Sequence, residues 1–281
     1  MKNNQLKKYG LLFCGPTLIA FVLIFVIPFI LGIYLSFTKF TTVSDATFVG
    51  LENYKEVFKG GSFLYSLIFT SLFAVCSVVT INVFGFLLAL LLTKKLRGRN
   101  FFRTVFFMPN LIGGIVLGYI WQLIINGVLI NKGVSITTDP IYGFVGLLVL
   151  MNWQMIGYVM IIYIAAIGNI PQEQLEAARV DGADGFTTLK KIILPACMPS
   201  VSICLFLTLT NSFKLFDQNL ALTAGAPSNK TQMLALDIYN TFYGSIGNEG
   251  IGQAKAVVFF AVVAVIALLQ LYFTSKKEYE A

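Results

Sequence analysis

Asn152 and Gln154 flank Trp153 in the stretch LMNWQMIGY, about ten residues inside an apolar run. That is too deep for the belt of Trp and Tyr that marks a membrane interface. An amide placed in hydrocarbon loses its water partners, so it must face another helix or a water-lined cavity. Tyr119, Trp121 and Gln122 occupy a second such run, GGIVLGYIWQLI, which ends near Asn126, and Asn82 sits in a third. Amides and hydroxyls donate and accept hydrogen bonds, which suits reversible binding of a polar solute. The same groups can knit helices together, and both readings remain open at this level. Bond-making chemistry has less support: there is no histidine, no spaced set of metal ligands, and no Ser or Cys nucleophile set beside a base.

The elements that must position these groups follow from hydrophobicity. Of 281 residues 57% are hydrophobic and 12% charged, against about 25% charged in soluble domains, and the mean hydropathy is +0.80. Apolar runs long enough to cross a bilayer, about 20 residues each, lie at 11–38, 64–93, 104–126, 142–168, 196–216 and 254–274. The runs are apolar all round rather than alternating, which excludes a transmembrane barrel. The expected fold is therefore all-α, a polytopic membrane protein with six transmembrane helices. Thirteen of the 20 Lys and Arg fall on one side of these spans, in the N-terminal segment, KKLRGRNFFR, the 171–195 loop and the C-terminal tail. Basic loops stay in the cytoplasm, so both termini are expected inside. This topology also accounts for the net charge of +7 without nucleic-acid binding.

The first run is about 28 residues long and lacks a small-residue cleavage site, so it reads as an uncleaved helix. Cys14, Cys76, Cys197 and Cys204 lie in or beside spans without paired spacing, and are expected as buried apolar side chains rather than disulfides or ligands. A short amphipathic helix is expected near Leu51 to Phe58. Gly114 and Gly118 form a small-residue face that permits close helix approach. The 171–195 segment breaks the apolar pattern. It reads as a short surface helix, a turn at Gly182 and Gly185, and an amphipathic piece whose Leu189, Ile192 and Ile193 face the membrane.

Within that segment Glu176, Ala177, Ala178, Gly182, Ile192, Leu194 and Pro195 complete the pattern Glu-Ala-Ala, three residues, Gly, nine residues, Ile-x-Leu-Pro. The pattern resembles the cytoplasmic loop of membrane subunits of binding-protein-dependent ABC importers. FVGLENY at 48–54 and SFKLFDQNLALTAGAPSNKTQMLALDIYNTFY at 212–243 are similar to the sugar-permease branch that holds the larger maltose-importer subunit. Two residues depart from that branch: Ala226 stands for the second Gly of an outer turn, and Leu189 for Phe.

The resemblance implies the type I ABC importer permease fold, with a first helix and external loop at 1–63, a core at 64–275 and a cytoplasmic tail at 276–281. It implies that the seven patterned residues couple to an ATPase. It also implies that substrate is contacted by Lys214 and Asp217, with Asn152, Gln154, Tyr119 and Gln122 as further candidates. Lys214 and Asp217, three apart, are expected to share a helix face, where they could instead pair with each other. Implied partners are a second homologous permease chain forming a heterodimer, two copies of a cytoplasmic ATPase that uses ATP and Mg, and an extracytoplasmic sugar-binding protein, all at a bacterial cell membrane. The chain has no Gly-Lys dipeptide, so it lacks the phosphate-cradling loop of the motor and is expected to be non-catalytic, with no bound cofactor. The expected cargo is a carbohydrate, an oligosaccharide in particular. A glycerol phosphate ester is the alternative within the family, and a self-sufficient secondary transporter the alternative outside it.

Overall fold

The computed structural model describes residues 14–94 and 96–279, with side chains described as far as 272. Residues 11–13 of the expected first span, Lys2, Lys7, Lys8, Lys95 and the side chains of the tail lie outside the described residues. In chain order the helices are α1 (Cys14–Leu35), α2 (Glu52–Lys59), α3 (Ser62–Thr93), α4 (Arg99–Phe107), α5 (Gly114–Lys132), α6 (Pro140–Gly168), α7 (Gln172–Val180), α8 (Gly185–Ala196), α9 (Met198–Phe213), α10 (Asp217–Leu222), α11 (Leu234–Gly244) and α12 (Glu249–Tyr279). Between α1 and α2 a two-stranded antiparallel hairpin pairs β1 (Thr38–Lys39) with β2 (Thr47–Phe48). The all-α expectation therefore holds apart from this small hairpin.

Among the described residues α1, α3, α5, α6 and α12 are each long and apolar enough to cross a membrane, and α8 with α9, bent by 70°, makes the sixth candidate. Their outer faces carry exposed Leu, Ile, Val and Phe, such as Ile24 on α1 at 77% and Leu123 on α5 at 74%, as expected where lipid is the solvent. Cys197 and Cys204 are buried, but Cys14 is exposed on α1, because that helix buries no side chain of its own stretch. The expectation that all four cysteines are buried fails there, and Cys76 is only half-buried.

The third span also differs from its hydropathy. Residues 99–107 are a separate helix, followed by a short 3₁₀ turn at Met108–Leu111 and extended backbone at Ile112, and the long helix begins only at Gly114. Pro109 cannot donate a helical hydrogen bond, and glycines 113 and 114 follow within five residues. A hydropathy window averages across this break because the residues on either side are apolar.

Contacts divide the chain into two compact units, Met1–Phe63 with Ile238–Ala261, and Leu64–Asp237 with Val262–Ala281. In the first, buried Asn53 on α2 donates through Nδ2 to the carbonyls of Ser36 (2.9 Å) and Thr38 (2.8 Å), which ties the expected amphipathic helix to the end of α1. Glycine is required at Gly250, where a Cβ would stand 2.3 Å from the Thr38 carbonyl oxygen.

The core of the second unit lies along α6, whose Leu147, Leu150, Met151, Met160 and Tyr163 are buried with Phe73 and Ile81 of α3 and Cys204 of α9. Inside it, Asn82 finds the partners that its depth demands. Its Nδ2 donates to Thr208 Oγ1 (3.0 Å) on α9, and its Oδ1 accepts from the Tyr163 hydroxyl (2.8 Å) on α6. Three helices are joined at one satisfied node. Asn82→Leu is expected to remove the amide acceptor of the Tyr163 hydroxyl and to cost about 1–2 kcal/mol. Thermal unfolding in detergent measures it, and Asn82→Leu/Tyr163→Phe should recover part of the loss. No recovery in the double variant would mean that the node is not the cause.

Candidate functional site

Polar side chains gather where α9 stops. Lys214 closes the helix through its backbone N–H, which donates to the Thr210 carbonyl (3.1 Å), Leu215 and Phe216 leave the helical path, and α10 starts at Asp217. Lys214 and Asp217 therefore do not share a helix face, and they form no ion pair, contrary to the spacing argument. No Pro or Gly causes the break. Instead Asn219 on α10 is held by distant chain: it donates to the Thr231 carbonyl (2.8 Å) and accepts from the Met233 N–H (2.9 Å).

α10 in turn lies against α5 through its two glycines. A Cβ at Gly114 would stand 2.8 Å from Asp217 Cβ, and one at Gly118 would stand 2.5 Å from Ala221 Cβ. The small-residue face predicted from sequence thus sets the position of Asp217 and Gln218. Gln122 Nε2 donates to the Leu222 carbonyl (2.9 Å) and fastens the other end of α10 to α5.

The result is a cavity of about 280 Å³ lined by Asn110, Gln154, Asn211, Lys214, Asp217 and Gln218, with Met151 and Met155 beneath. Lys214, Asp217 and Asn211 are exposed while Leu215 is buried, so charge and amide groups face outward from an apolar floor. Gln218 Nε2 donates to Gln154 Oε1 (2.8 Å), and Gln154 Nε2 points to the Ile112 carbonyl (3.4 Å). This amide chain joins the unwound start of α5, α6 and α10 across the cavity wall.

The six sequence candidates separate here. Lys214, Asp217 and Gln154 line the cavity, whereas Asn152, Tyr119 and Gln122 do not. Asn152 bonds back to the Leu148 carbonyl of its own helix (2.8 Å), and its Oδ1 is buried without a donor. Tyr119 is exposed at 56% on the outer face of α5, and Trp121 packs edge-on against Trp153 at 5.6 Å. Asn110, Asn211 and Gln218 were not singled out from sequence. Asn211 could have been, as an amide in the run LTLTNSF. Asn110 and Gln218 could not, because each reaches the cavity only through a helix break.

The second cluster is the 171–195 loop. α7 buries Ala178 and exposes Glu176 and Ala177. It ends in a left-handed turn: Gly182 has φ +79°, its N–H donates to the Arg179 carbonyl (3.1 Å), and the Ala183 N–H to the Ala178 carbonyl (2.9 Å). This double closure satisfies the last carbonyls of α7 and favours glycine at its centre. Asp184 then caps α8, accepting from the Thr187 N–H (2.9 Å). Its bonds from Thr187 hold the carboxyl below the ordinary range, so the cap is fully present above that range and is lost as pH falls through the lowered value. Ile192 and Pro195 are half-buried and Leu194 is 40% exposed. Val180 (87% exposed) and Phe186 (70%) project from the same loop. A shallow groove lined by Ala178, Gly182, Asp184, Thr187, Lys191 and Ile192 runs along it. From its end α9 runs 16 residues to Lys214, a strut of about 24 Å between loop and cavity.

The outer turn absorbs the Ala226 departure. Left-handed φ values occur at Ala224, Gly225, Ser228 and Asn229 but not at Ala226, so glycine is not required there.

Residues 81–279 match the family described as binding-protein-dependent transport system inner membrane component. The chain is 47% identical to a probable starch degradation products transport system permease protein of Thermoanaerobacterium thermosulfurigenes, covering 99% of each chain. It is 30% identical to a multiple sugar-binding transport system permease protein of Streptococcus mutans, covering 97% of each. Its fold matches a crystal structure of a bacterial ABC transporter involved in import of the acidic polysaccharide alginate, with a TM-score of 0.83 at 21% identity over 97% of this chain and 98% of that one.

Proposed function

This chain belongs to the family of binding-protein-dependent transport system inner membrane components, and from that premise we propose that it is a permease subunit of an ATP-driven carbohydrate importer. The cavity carries the reading: amides, one cation and one carboxylate stand over an apolar floor, which suits a solute that presents hydroxyls on its edges and C–H groups on its faces. Lys214, Asp217 and Gln154 are proposed to touch the sugar, joined by Asn110, Asn211 and Gln218. Similarity to a probable transport permease for starch degradation products and to a multiple sugar-binding transport permease supports the cargo class.

In this reading the chain forms half of the pathway, and a second homologous permease closes the open side of the cavity. Two copies of a cytoplasmic ATPase, using ATP and Mg, dock on the exposed Glu176 loop, and an extracytoplasmic binding protein delivers the sugar. Movement at the loop passes along α9 to the break at Lys214, so the cavity opens to alternate sides. The Lys and Arg distribution supports cytoplasmic termini. Dependence on a separate binding protein argues against the gradient-driven alternative.

Lys214→Ala and Asp217→Ala test the cavity. Neither side chain makes a hydrogen bond or ion pair with the described residues, so each variant is expected to assemble normally and to lower uptake of labelled maltooligosaccharide about tenfold or more, equivalent to one charge-assisted hydrogen bond. Loss of assembly with wild-type uptake per assembled complex would assign the pair to structure. Unchanged maltooligosaccharide uptake alongside lost uptake of a glycerol phosphate ester would move the cargo class.

A further inference from the structure

Lys94, Lys95, Arg97, Arg99 and Arg103 fall within ten positions, and no Asp or Glu occurs between Glu56 and Asp139. Topology accounts for such residues being on one side of the membrane, but not for their arrangement. α3 ends at Thr93, and Arg103 reaches back to it: Nη2 donates to the Leu92 carbonyl (3.0 Å) and Nε is buried. That guanidinium is committed to closing the helix. Between them Gly98, at φ +79°, turns the chain, and α4 begins with the Phe102 N–H donating to the Gly98 carbonyl (3.1 Å). The turn leaves Lys94, Arg97 and Arg99 exposed, and no carboxylate among the described residues pairs with them. Directly beyond stand Phe101, 67% exposed, and Phe102, 46% exposed, their rings edge-on at 5.8 Å. Val105 and Phe106 continue the exposed apolar surface along α4.

We propose that Lys94, Arg97 and Arg99 bind the headgroup of an anionic phospholipid, with Phe101 and Phe102 against its acyl chains. Cations followed at once by exposed aromatics, at the end of a membrane-crossing helix, fit the boundary between headgroups and hydrocarbon. An acidic protein surface would satisfy the cations but would leave the phenylalanines and the apolar strip of α4 without a partner. The site requires only that α3 crosses the bilayer, and depends on neither the cargo nor the direction of the chain.

Native mass spectrometry of the detergent-purified full chain, titrated at low ionic strength with phosphatidylglycerol or with phosphatidylcholine of the same acyl chains, tests this. The wild type should retain phosphatidylglycerol preferentially. Lys94→Gln, Arg97→Gln and Arg99→Gln, each leaving the other basic residues to fix topology, should each weaken that retention roughly fivefold. Lys55→Gln, on the exposed surface of α2, should not, and the charge-conserving Arg97→Lys/Arg99→Lys should retain the lipid even if a neutral variant folds poorly. Phe101→Ser/Phe102→Ser should weaken both lipids. Equal retention of the two lipids by the wild type, or unchanged retention in the Gln variants, overturns the proposal. So does displacement of phosphatidylglycerol by millimolar inorganic phosphate, which would mark a free-phosphate site, or loss of a co-purifying cytoplasmic protein with no change in lipid.

Discussion

Glu176→Lys is expected to abolish uptake while leaving the chain inserted, folded and as heat-stable as the parent. Glu176 is exposed on α7, and its carboxylate makes no hydrogen bond or ion pair with the described residues, so the fold they form does not depend on it. On the proposed function its partner belongs to the ATPase. Reversing a charge inside a docked interface leaves two like charges facing each other, at a cost of about 2–5 kcal/mol, enough to weaken association at least thirtyfold. Co-purification of the ATPase should fall with uptake, and Glu176→Gln should be milder because it removes attraction without adding repulsion. Wild-type uptake and ATPase recovery in Glu176→Lys would mean that this loop is not the coupling surface.

The second large effect is steric and tests the fold independently of function. Gly157 lies in the middle of α6, where α4 crosses it so closely that a Cβ would stand 1.8 Å from the Phe106 carbonyl oxygen and 2.3 Å from its carbon. Both obstructing atoms are backbone, so no rotamer change relieves the clash, and α4 must lift away. Gly157→Ala should cost about 3 kcal/mol or more and lower the Tm in detergent by roughly 6–12 °C. Gly168→Ala, at the end of the same helix with open space around its Cβ, provides the control and should be neutral or slightly stabilising. Equal behaviour of the two variants would mean that α4 does not rest on α6.

Much of this architecture was legible because hydrophobic burial and backbone satisfaction are properties of local sequence. A run such as 64–93 has one low-energy state in a bilayer, and α3 spans it almost to the residue. The loop turn was legible because Gly182 is where a left-handed residue must fall between two helical segments. Gly114 and Gly118 announced a close approach, although not that the approaching element would be the short α10. What stayed hidden depends on residues far apart in the chain. The end of α9 at Phe213 is enforced by Asn219 reaching Thr231 and Met233, and neither SFKLFDQN nor its periodicity carries a trace of that bond. The same break brings Gln218 to Gln154, and the break at Met108–Leu111 brings Asn110 to the cavity, which is why these two wall residues are not legible in the sequence. Asn152 misled for the opposite reason: depth in the membrane shows that an amide needs a partner, but its own helix supplied one at Leu148.

The interruption between α9 and α10 also fixes an electrical order. Lys214 stands where α9 ends, at the negative pole of its summed peptide dipoles, and Asp217 stands in the first turn of α10, at the positive pole. Each charge is held by a helix end, with roughly 0.3–1 kcal/mol favouring that sign over the other, and neither needs its neighbour for neutralisation. A solute entering the cavity therefore competes with no internal ion pair. On the proposed function, that solute meets a field whose direction is written into the backbone, and a change of cargo would alter the amides around that field more readily than its polarity.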